Sequence, residues 1–360
     1  HHPGNFGPAD HGGEPNALAR ACPSAHAAVL DALREHAPEG YDVGMECTHH
    51  GPTAVGAPSM FVELGSGPEQ WSDAAAARAV ARAILDLRDV APDRDPETDG
   101  TRRHLVGFGG GHYAPQFERI VRETDWAVGH VAADWGLDAL GDLDDAAARA
   151  VIRQAFEQSA ATHALVAEDR PDVRDVVTDL GYRVVGETWL RETTGVPLAR
   201  VRRLEAEMAT VEAGLRFGEA AVDADECHDV TLPARLVETA RGIDQDATLE
   251  AIHDRSVAYV TDQGGSRPTE RVVLAAGSDS EELVEALADV LRQRYDVVER
   301  DGDDLVARET VFDPERAATL GVPEGPKFGR LAAGETVEVD GQSIPPEAVS
   351  ETRGDRFSCR

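Results

Sequence analysis

Apolar positions recur along this chain at two periods. Between Pro23 and His36 they fall at Ala27, Val29, Leu30 and Leu33, the spacing of one helix face, and the run stops at the Pro38–Gly40 turn. The same criterion predicts an Ala-rich helix over Trp71–Leu87, entered through Gly67-Pro68-Glu69, and helices over Leu143–Gln158, Val173–Leu180 and Glu281–Arg294. Short apolar runs predict strands over Tyr41–Glu46, Met60–Leu64, His104–Phe108, Trp126–Val131, Ala164–Glu168 and Tyr182–Gly186. Further strands are expected over Ser256–Val260, Val272–Ala276, Tyr295–Arg300 and Asp304–Val311. Strands alternating with helices of this length predict a layered α/β domain with a largely parallel or mixed sheet. In such sheets the ligand site lies in loops beyond the carboxyl ends of the strands. The pattern fades over Arg216–Asp229, which places a boundary near residue 220.

Charge changes the picture of the surface. The chain has 360 residues with 35 basic against 67 acidic ones, a formal net charge of -32. The acids are dispersed, and every basic residue but Lys327 is arginine. Such a surface fits a halophile, because at 1 M salt the Debye length is only about 3 Å and dispersed carboxylates stay hydrated and screened. The charge therefore reports the solvent more than the partner, and local arginine clusters such as Arg102-Arg103 and Arg200–Arg203 remain candidates for phosphate contacts. Cys22, Cys47, Cys227 and Cys359 form no C-x-x-C pair, which favours reduced thiols over a disulfide framework. No apolar run reaches the roughly 18 residues of a membrane span, so a cytoplasmic protein without a membrane partner is expected.

The chemistry concentrates in histidine-bearing loops. Glu46, His49 and His50 leave a predicted strand together, and imidazole nitrogen with carboxylate oxygen is the donor set of hydrolytic zinc sites. Alone, that string also reads as a strand end with exposed histidines. His112 follows the three glycines Gly109, Gly110 and Gly111, which let backbone approach a ligand or adopt positive φ. No Lys-Ser/Thr follows, so this is not a Walker loop. His130 ends a further strand, and His1 and His11, with Asp10 beside it, flank an opening glycine loop. Cys47 lies inside the cluster as a possible thiolate. His26 and His36 read as solvated helix positions, while His104, His163, His228 and His253 lack a ligand-like context.

The strings HHPGNFGPADHGG, ECTHHGPT with the following PSMFVELGS, and GFGGGHYAP with the downstream VGHV resemble the archaeal and plant type of D-aminoacyl-tRNA deacylase over about residues 1 to 215. The resemblance implies a zinc-dependent esterase, with two zinc ions per subunit, that cleaves the bond between a D-amino acid and the 3'-terminal ribose of tRNA. It implies a three-layer α/β/α, phosphorylase/hydrolase-like fold with a mixed sheet, shared with some peptidyl-tRNA hydrolases and zinc exopeptidases. Residues 1–217 are then an N-terminally shortened catalytic domain, and residues 218–360 a C-terminal α/β or α+β extension that the resemblance does not describe. His1 becomes the family histidine and not a tag remnant. Family members carry a small residue where Cys47 stands. Within the extension, GVPEGPKFGRLAAGETVEVDGQSIPPEAV is similar to a substrate-loop string of tRNA 3'-end processing endonucleases and reads as a tRNA-end contact or as a structural loop.

On this reading His49, His50 and His112 are core metal ligands, Glu46 is a ligand or the general base, and His1 or His130 completes a second site. Glu46 and His50 are the catalytic candidates, and Asn5, Thr48 and Gly109–Gly111 the substrate-binding ones. The partner is the 3' end of D-aminoacyl-tRNA, with no DNA, and the protein is expected to be a monomer. Other readings are deacylation driven by the tRNA 2'-hydroxyl with Gly109–Gly111 amides as the oxyanion hole, a zinc amidohydrolase or exopeptidase, and a tRNA-binding or metal-storage module without turnover.

Overall fold

The computed structural model describes every residue except Glu168, Asp225 and Arg360, and it divides into two compact units, His1–Arg202 and Arg203–Arg360. In chain order the first contains α1 (Pro23–His36), α2 (Pro68–Trp71), α3 (Ala74–Asp86), β1 (His104–Phe108), α4 (Pro115–Glu123) and β2 (Ala127–Ala132). These are followed by α5 (Asp134–Ala139), α6 (Ala146–Ser159), β3 (His163–Val166), α7 (Pro171–Asp179), β4 (Arg183–Val185), α8 (Glu187–Glu192) and α9 (Leu198–Glu207), which runs through the division.

The four strands of the first unit lie in the order β2-β1-β3-β4, and each pairing is parallel. Parallel strands buried on both faces read as unbroken apolar runs, which is how HLVGF of β1 reads. Val106 and Phe108 point into a core with Val151, Ile152 and Phe156 of α6 and Val173, Val176 and Val177 of α7. On the opposite face Gly107 leaves room for Phe117 of α4, whose ring a Cβ would meet at 2.8 Å. The first unit's sheet is thus parallel and not mixed among the described residues; the antiparallel sheets of this mixed α/β chain lie in the second unit.

Two predicted strands are absent. Tyr41–Glu46 and Met60–Leu64 belong to no sheet, and Glu46 makes only an isolated bridge to Tyr113. No continuous ladder forms along these segments, and the backbone here is satisfied by single bonds. Cys47 N–H donates to the His112 carbonyl at 2.8 Å, Thr48 N–H to Val131 at 2.8 Å, and Phe61 N–H to His1 at 2.8 Å. The helix expected over Trp71–Leu87 is interrupted because Asp73 caps α3, accepting from Ala75 N–H at 2.7 Å and Ala76 N–H at 3.1 Å. Glu168, the last residue of one predicted strand, lies outside the described residues.

The second unit contains β5 (Leu215–Phe217), β6 (Cys227–Thr231), α10 (Ala234–Ile243), α11 (Gln245–His253), β7 (Ala258–Asp262), β8 (Arg267–Ala275) and α12 (Ser280–Leu291). There follow β9 (Val297–Asp301), β10 (Asp304–Phe312), α13 (Pro314–Thr319), α14 (Pro326–Ala332), β11 (Val337–Val339), β12 (Gln342–Ile344) and β13 (Ser350–Ser358). Its sheets, β5-β7-β8-β6, β13-β10-β9 and the hairpin β11-β12, are antiparallel. Because β5 pairs with β7, the division falls at Arg202/Arg203, ahead of the boundary expected at 217/218. The GVPEGPKFGR string folds into α14 and the hairpin around Leu331, Val337, Val339, Ile344 and Val349, and Lys327 donates to the Glu338 carbonyl at 2.7 Å.

Candidate active site

The loop after β1 meets three irregular segments that precede β1 in the chain, around His1, Glu46–His50 and Phe61–Glu63, and so brings together residues that are far apart in sequence. The turn after β1 is made by Gly109 and Gly110, at φ +96° and +86°. A Cβ at Gly109 would lie 2.7 Å from the Ala167 carbonyl oxygen, so neither the conformation nor the space admits a side chain. This turn delivers His112, whose carbonyl anchors Cys47, and so fixes the Glu46–His50 segment beside it. Gly4 N–H donates to the His50 carbonyl at 2.8 Å, tying the opening loop and His1 to the same place.

Glu46 sits between two imidazoles, 3.3 Å from His1 Nδ1 through one oxygen and 3.3 Å from His112 Nε2 through the other. Glu63 lies 3.7 Å from His1 Nδ1 and 3.6 Å from His50 Nε2. The rings of His1 and His49 are 4.3 Å apart, His49 and His50 4.6 Å, and His49 and His112 4.5 Å. His49 Nδ1–H donates to the Cys47 carbonyl at 2.8 Å and His50 Nδ1–H to Gly51 at 2.8 Å. Each bond fixes a tautomer that leaves Nε2 with its lone pair. Burial lowers the pKa of His49, favouring the neutral imidazole that a metal requires.

Among the described residues, three overlapping groups have donor atoms within 4.8 Å of one another: His1, His49 and His50; Cys47, His49 and His112; and His1, Glu46 and Glu63. His1 Nε2 is buried without a hydrogen-bond partner, and an orphaned buried nitrogen costs roughly 1–3 kcal/mol unless something takes its lone pair. The donor set and this orphan fit a metal ion. The site is graded in exposure, with the His1 side chain 1% accessible and that of His112 47%, so a substrate can reach one side. Cys47 is fully buried and its thiol is pushed up to about 11 by burial, which makes it no free nucleophile near neutral pH.

Other predicted site residues do different work. His130 stands outside the three groups: its Nε2 donates to the Ala19 carbonyl at 2.8 Å, its Nδ1 faces Thr48 Oγ1 at 3.0 Å, and burial lowers its pKa to about 4. Thr48 is buried in that contact and accepts from Val131 N–H at 3.3 Å, so it braces the loop instead of facing substrate. Asn5 is likewise buried, donating to the Gly12 and Glu14 carbonyls at 2.9 and 3.1 Å. An oxyanion hole from the glycine amides fails at two positions, because Gly109 N–H donates to Ala132 at 2.8 Å and Gly110 N–H to Asp134 Oδ2 at 2.9 Å. Gly111 has open space around it. His11 and Asp10 are exposed and join none of the groups.

His26, expected to be solvated, is buried with its ring 4.6 Å from that of His2, and burial keeps both well below the usual histidine pKa. Arg103 is also buried, bound to Glu97 at 2.9 Å and Asp125 at 3.2 Å, while Arg202 pairs with Asp99 at 2.6 Å. Neither of these two is free for a phosphate. Glu63 and Phe61 escape a reading of the sequence; the acid in PSMFVELGS is the available signal, but nothing in its spacing ties it to His1.

A half-open cluster of imidazoles and carboxylates, with His112 on the loop at the carboxyl end of β1, is the kind of site that metal-assisted hydrolases use. Comparison with known proteins narrows that class. Residues 1–185 match the family model of D-aminoacyl-tRNA deacylase. The D-aminoacyl-tRNA deacylase of Haloarcula marismortui is 54% identical over 361 residues, which cover 99% of this chain and 80% of the relative. That of Halorubrum lacusprofundi is 53% identical, covering 99% of this chain and 75% of the relative. The chain belongs to the D-aminoacyl-tRNA deacylase family. The likeness to these relatives runs through the second unit as well, which the resemblance of the sequence strings had left undescribed. A crystal structure of a conserved protein of unknown function is 31% identical, with a TM-score of 0.45, 54% of this chain covered and 67% of that one.

Proposed function

We infer that this chain hydrolyses the ester of D-aminoacyl-tRNA to free D-amino acid and tRNA, and that the histidine cluster is where the ester is opened. The observation that carries the site assignment is the unpartnered, buried His1 Nε2, on a ring that packs against those of His49 and His50 and turns its Nδ1 to Glu46 and Glu63. We assign His1, His49 and His50 as ligands of a zinc ion, with Glu63 beside them. His112 and Cys47 form a further group with the same His49, whose single free lone pair at Nε2 would serve one ion; a second zinc, as the family resemblance implies, would be held toward His112 and Cys47. When bound, zinc supplies Lewis acidity to an ester carbonyl and to water.

Glu46 is the general base in this scheme. Its carboxylate takes a proton as the water oxygen bonds to the carbonyl carbon, and returns it to the ribose oxygen as the ester C–O bond breaks. His1 and His112, at 3.3 Å on either side, hold the carboxylate in place. With Gly109 and Gly110 amides occupied, no observation favours the metal-free scheme.

Helices packed against both faces of the sheet support a three-layer α/β/α architecture of the phosphorylase/hydrolase type. The catalytic domain is taken as residues 1–217, and residues 218–360 as a C-terminal extension. No helix among the described residues is long and apolar enough to cross a membrane. We place the protein in the cytoplasm as a monomer acting on the tRNA 3' end. Release of D- but not L-amino acid from aminoacyl-tRNA, lost on chelation and restored by zinc, tests the reading.

A further inference from the structure

A pocket of about 260 Å³ opens directly beside the cluster, and His1, Glu46 and Glu63 belong to both. Its wall is built by helical spacing. On α1, Val29, Leu30 and Leu33 face it; on α3, Ala76, Ala79 and Val80 do, where two buried alanines leave the depth that larger side chains would fill. Phe61 closes the side toward the cluster, with its ring 5.1 Å from His1 and 4.5 Å from His50. The volume lies just below the roughly 300 Å³ at which sites for drug-sized ligands begin, so it suits one small group.

The charged residues that line this pocket, Asp42, Glu46 and Glu63, are all acidic, and no arginine or lysine is among its lining residues. Apolar walls with a carboxylate mouth reject a phosphate and accept a cation attached to an apolar body. We propose that this pocket receives the aminoacyl group, with the amino-acid side chain against Leu30, Leu33, Phe61 and Val80 and the α-ammonium beside Glu46 and Glu63. The proposal rests on the cluster being the place where the ester is opened. It also supplies a physical basis for chirality. With the carbonyl at the cluster and the ammonium at the carboxylates, inverting the α-carbon exchanges side chain and hydrogen, so only one enantiomer places its side chain in the pocket. Apolar and aromatic D-residues are then preferred over D-Asp and D-Glu, whose carboxylates meet three acids.

Val80→Trp, at the half-buried wall, tests this in the complete chain in high salt. The ratio of kcat/KM for D-Tyr-tRNA to that for D-Ala-tRNA should fall at least tenfold. Leu33→Ala, which enlarges the pocket and needs no new packing, should raise D-Trp-tRNA relative to D-Tyr-tRNA. Unchanged ratios in both variants overturn the proposal, as does an equal loss for every amino acid, which would place the terminal adenosine in the pocket. Wild-type protein that releases no D-amino acid refutes instead the functional reading on which the proposal rests.

Discussion

Glu46 and His49 have separable duties in this site, and substitution tells them apart. His49 presents Nε2 because the Cys47 carbonyl holds its Nδ1–H, so His49→Ala removes a donor shared by two of the metal-binding groups. Loss of both bound zinc and deacylation is expected. Glu46→Gln keeps an oxygen near His1 and His112 but no longer takes a proton; kcat should fall by roughly 10²–10⁴-fold while zinc stays bound. Metal analysis beside steady-state kinetics decides, and wild-type kcat in Glu46→Gln would remove it from the chemistry. The string E-x-x-H-H makes these residues legible because their chemistry is local in sequence. Glu63 is not legible, since its role arises only when the Phe61 amide bonds to His1 and draws that segment alongside. His130 looks equivalent to His49 in sequence, and only burial and two hydrogen bonds distinguish it.

At the scale of elements, the glycine turn after β1 decides where His112 stands. Gly109 has both a positive φ and a carbonyl oxygen where its Cβ would go, so Gly109→Ala should destabilise the protein by about 2 kcal/mol or more and misplace His112. Gly111→Ala, with nothing within 4 Å, should stay within about 0.5 kcal/mol. Thermal unfolding of the two variants checks this, and equal stability would contradict it. The elements that the sequence reveals are those with a strong period: α1 matches its predicted bounds, and β1 does too. Tyr41–Glu46 and Met60–Leu64 share the apolar character of strands, but no ladder forms along them, because strand character depends on tertiary context more than on the segment itself. Amphipathic α4 escapes notice because its polar residues outnumber Phe117, Ile120 and Val121, although these three are buried.

For the whole molecule, solvent conditions matter as much as contacts. The formal charge of -32 and the halophilic sources of its relatives describe a surface made for concentrated salt. Inside, burial lowers His104 to about 4 and His163 to about 3, the latter between the rings of Trp126 and Trp189. Both folded values lie below the ordinary histidine value of about 6.5, so their stabilising contribution is complete above that pH. As pH falls from about 6.5 toward 4, the unfolded chain takes up protons that the folded one refuses, and stability declines. His163→Gln should therefore lose less stability than wild type between about pH 7 and pH 5 in molar salt, measured by denaturant unfolding; an identical pH slope would contradict the assignment.

Deacylation and metal dependence meet in a single assay: release of free amino acid from D- and L-aminoacyl-tRNA by the complete chain in high salt, before and after exhaustive chelation. Release from the D form alone, abolished by the chelator and restored by zinc, is the predicted result. D-specific release that ignores the chelator would leave the family's activity in place and contradict the metal-ligand role of His1, His49 and His50.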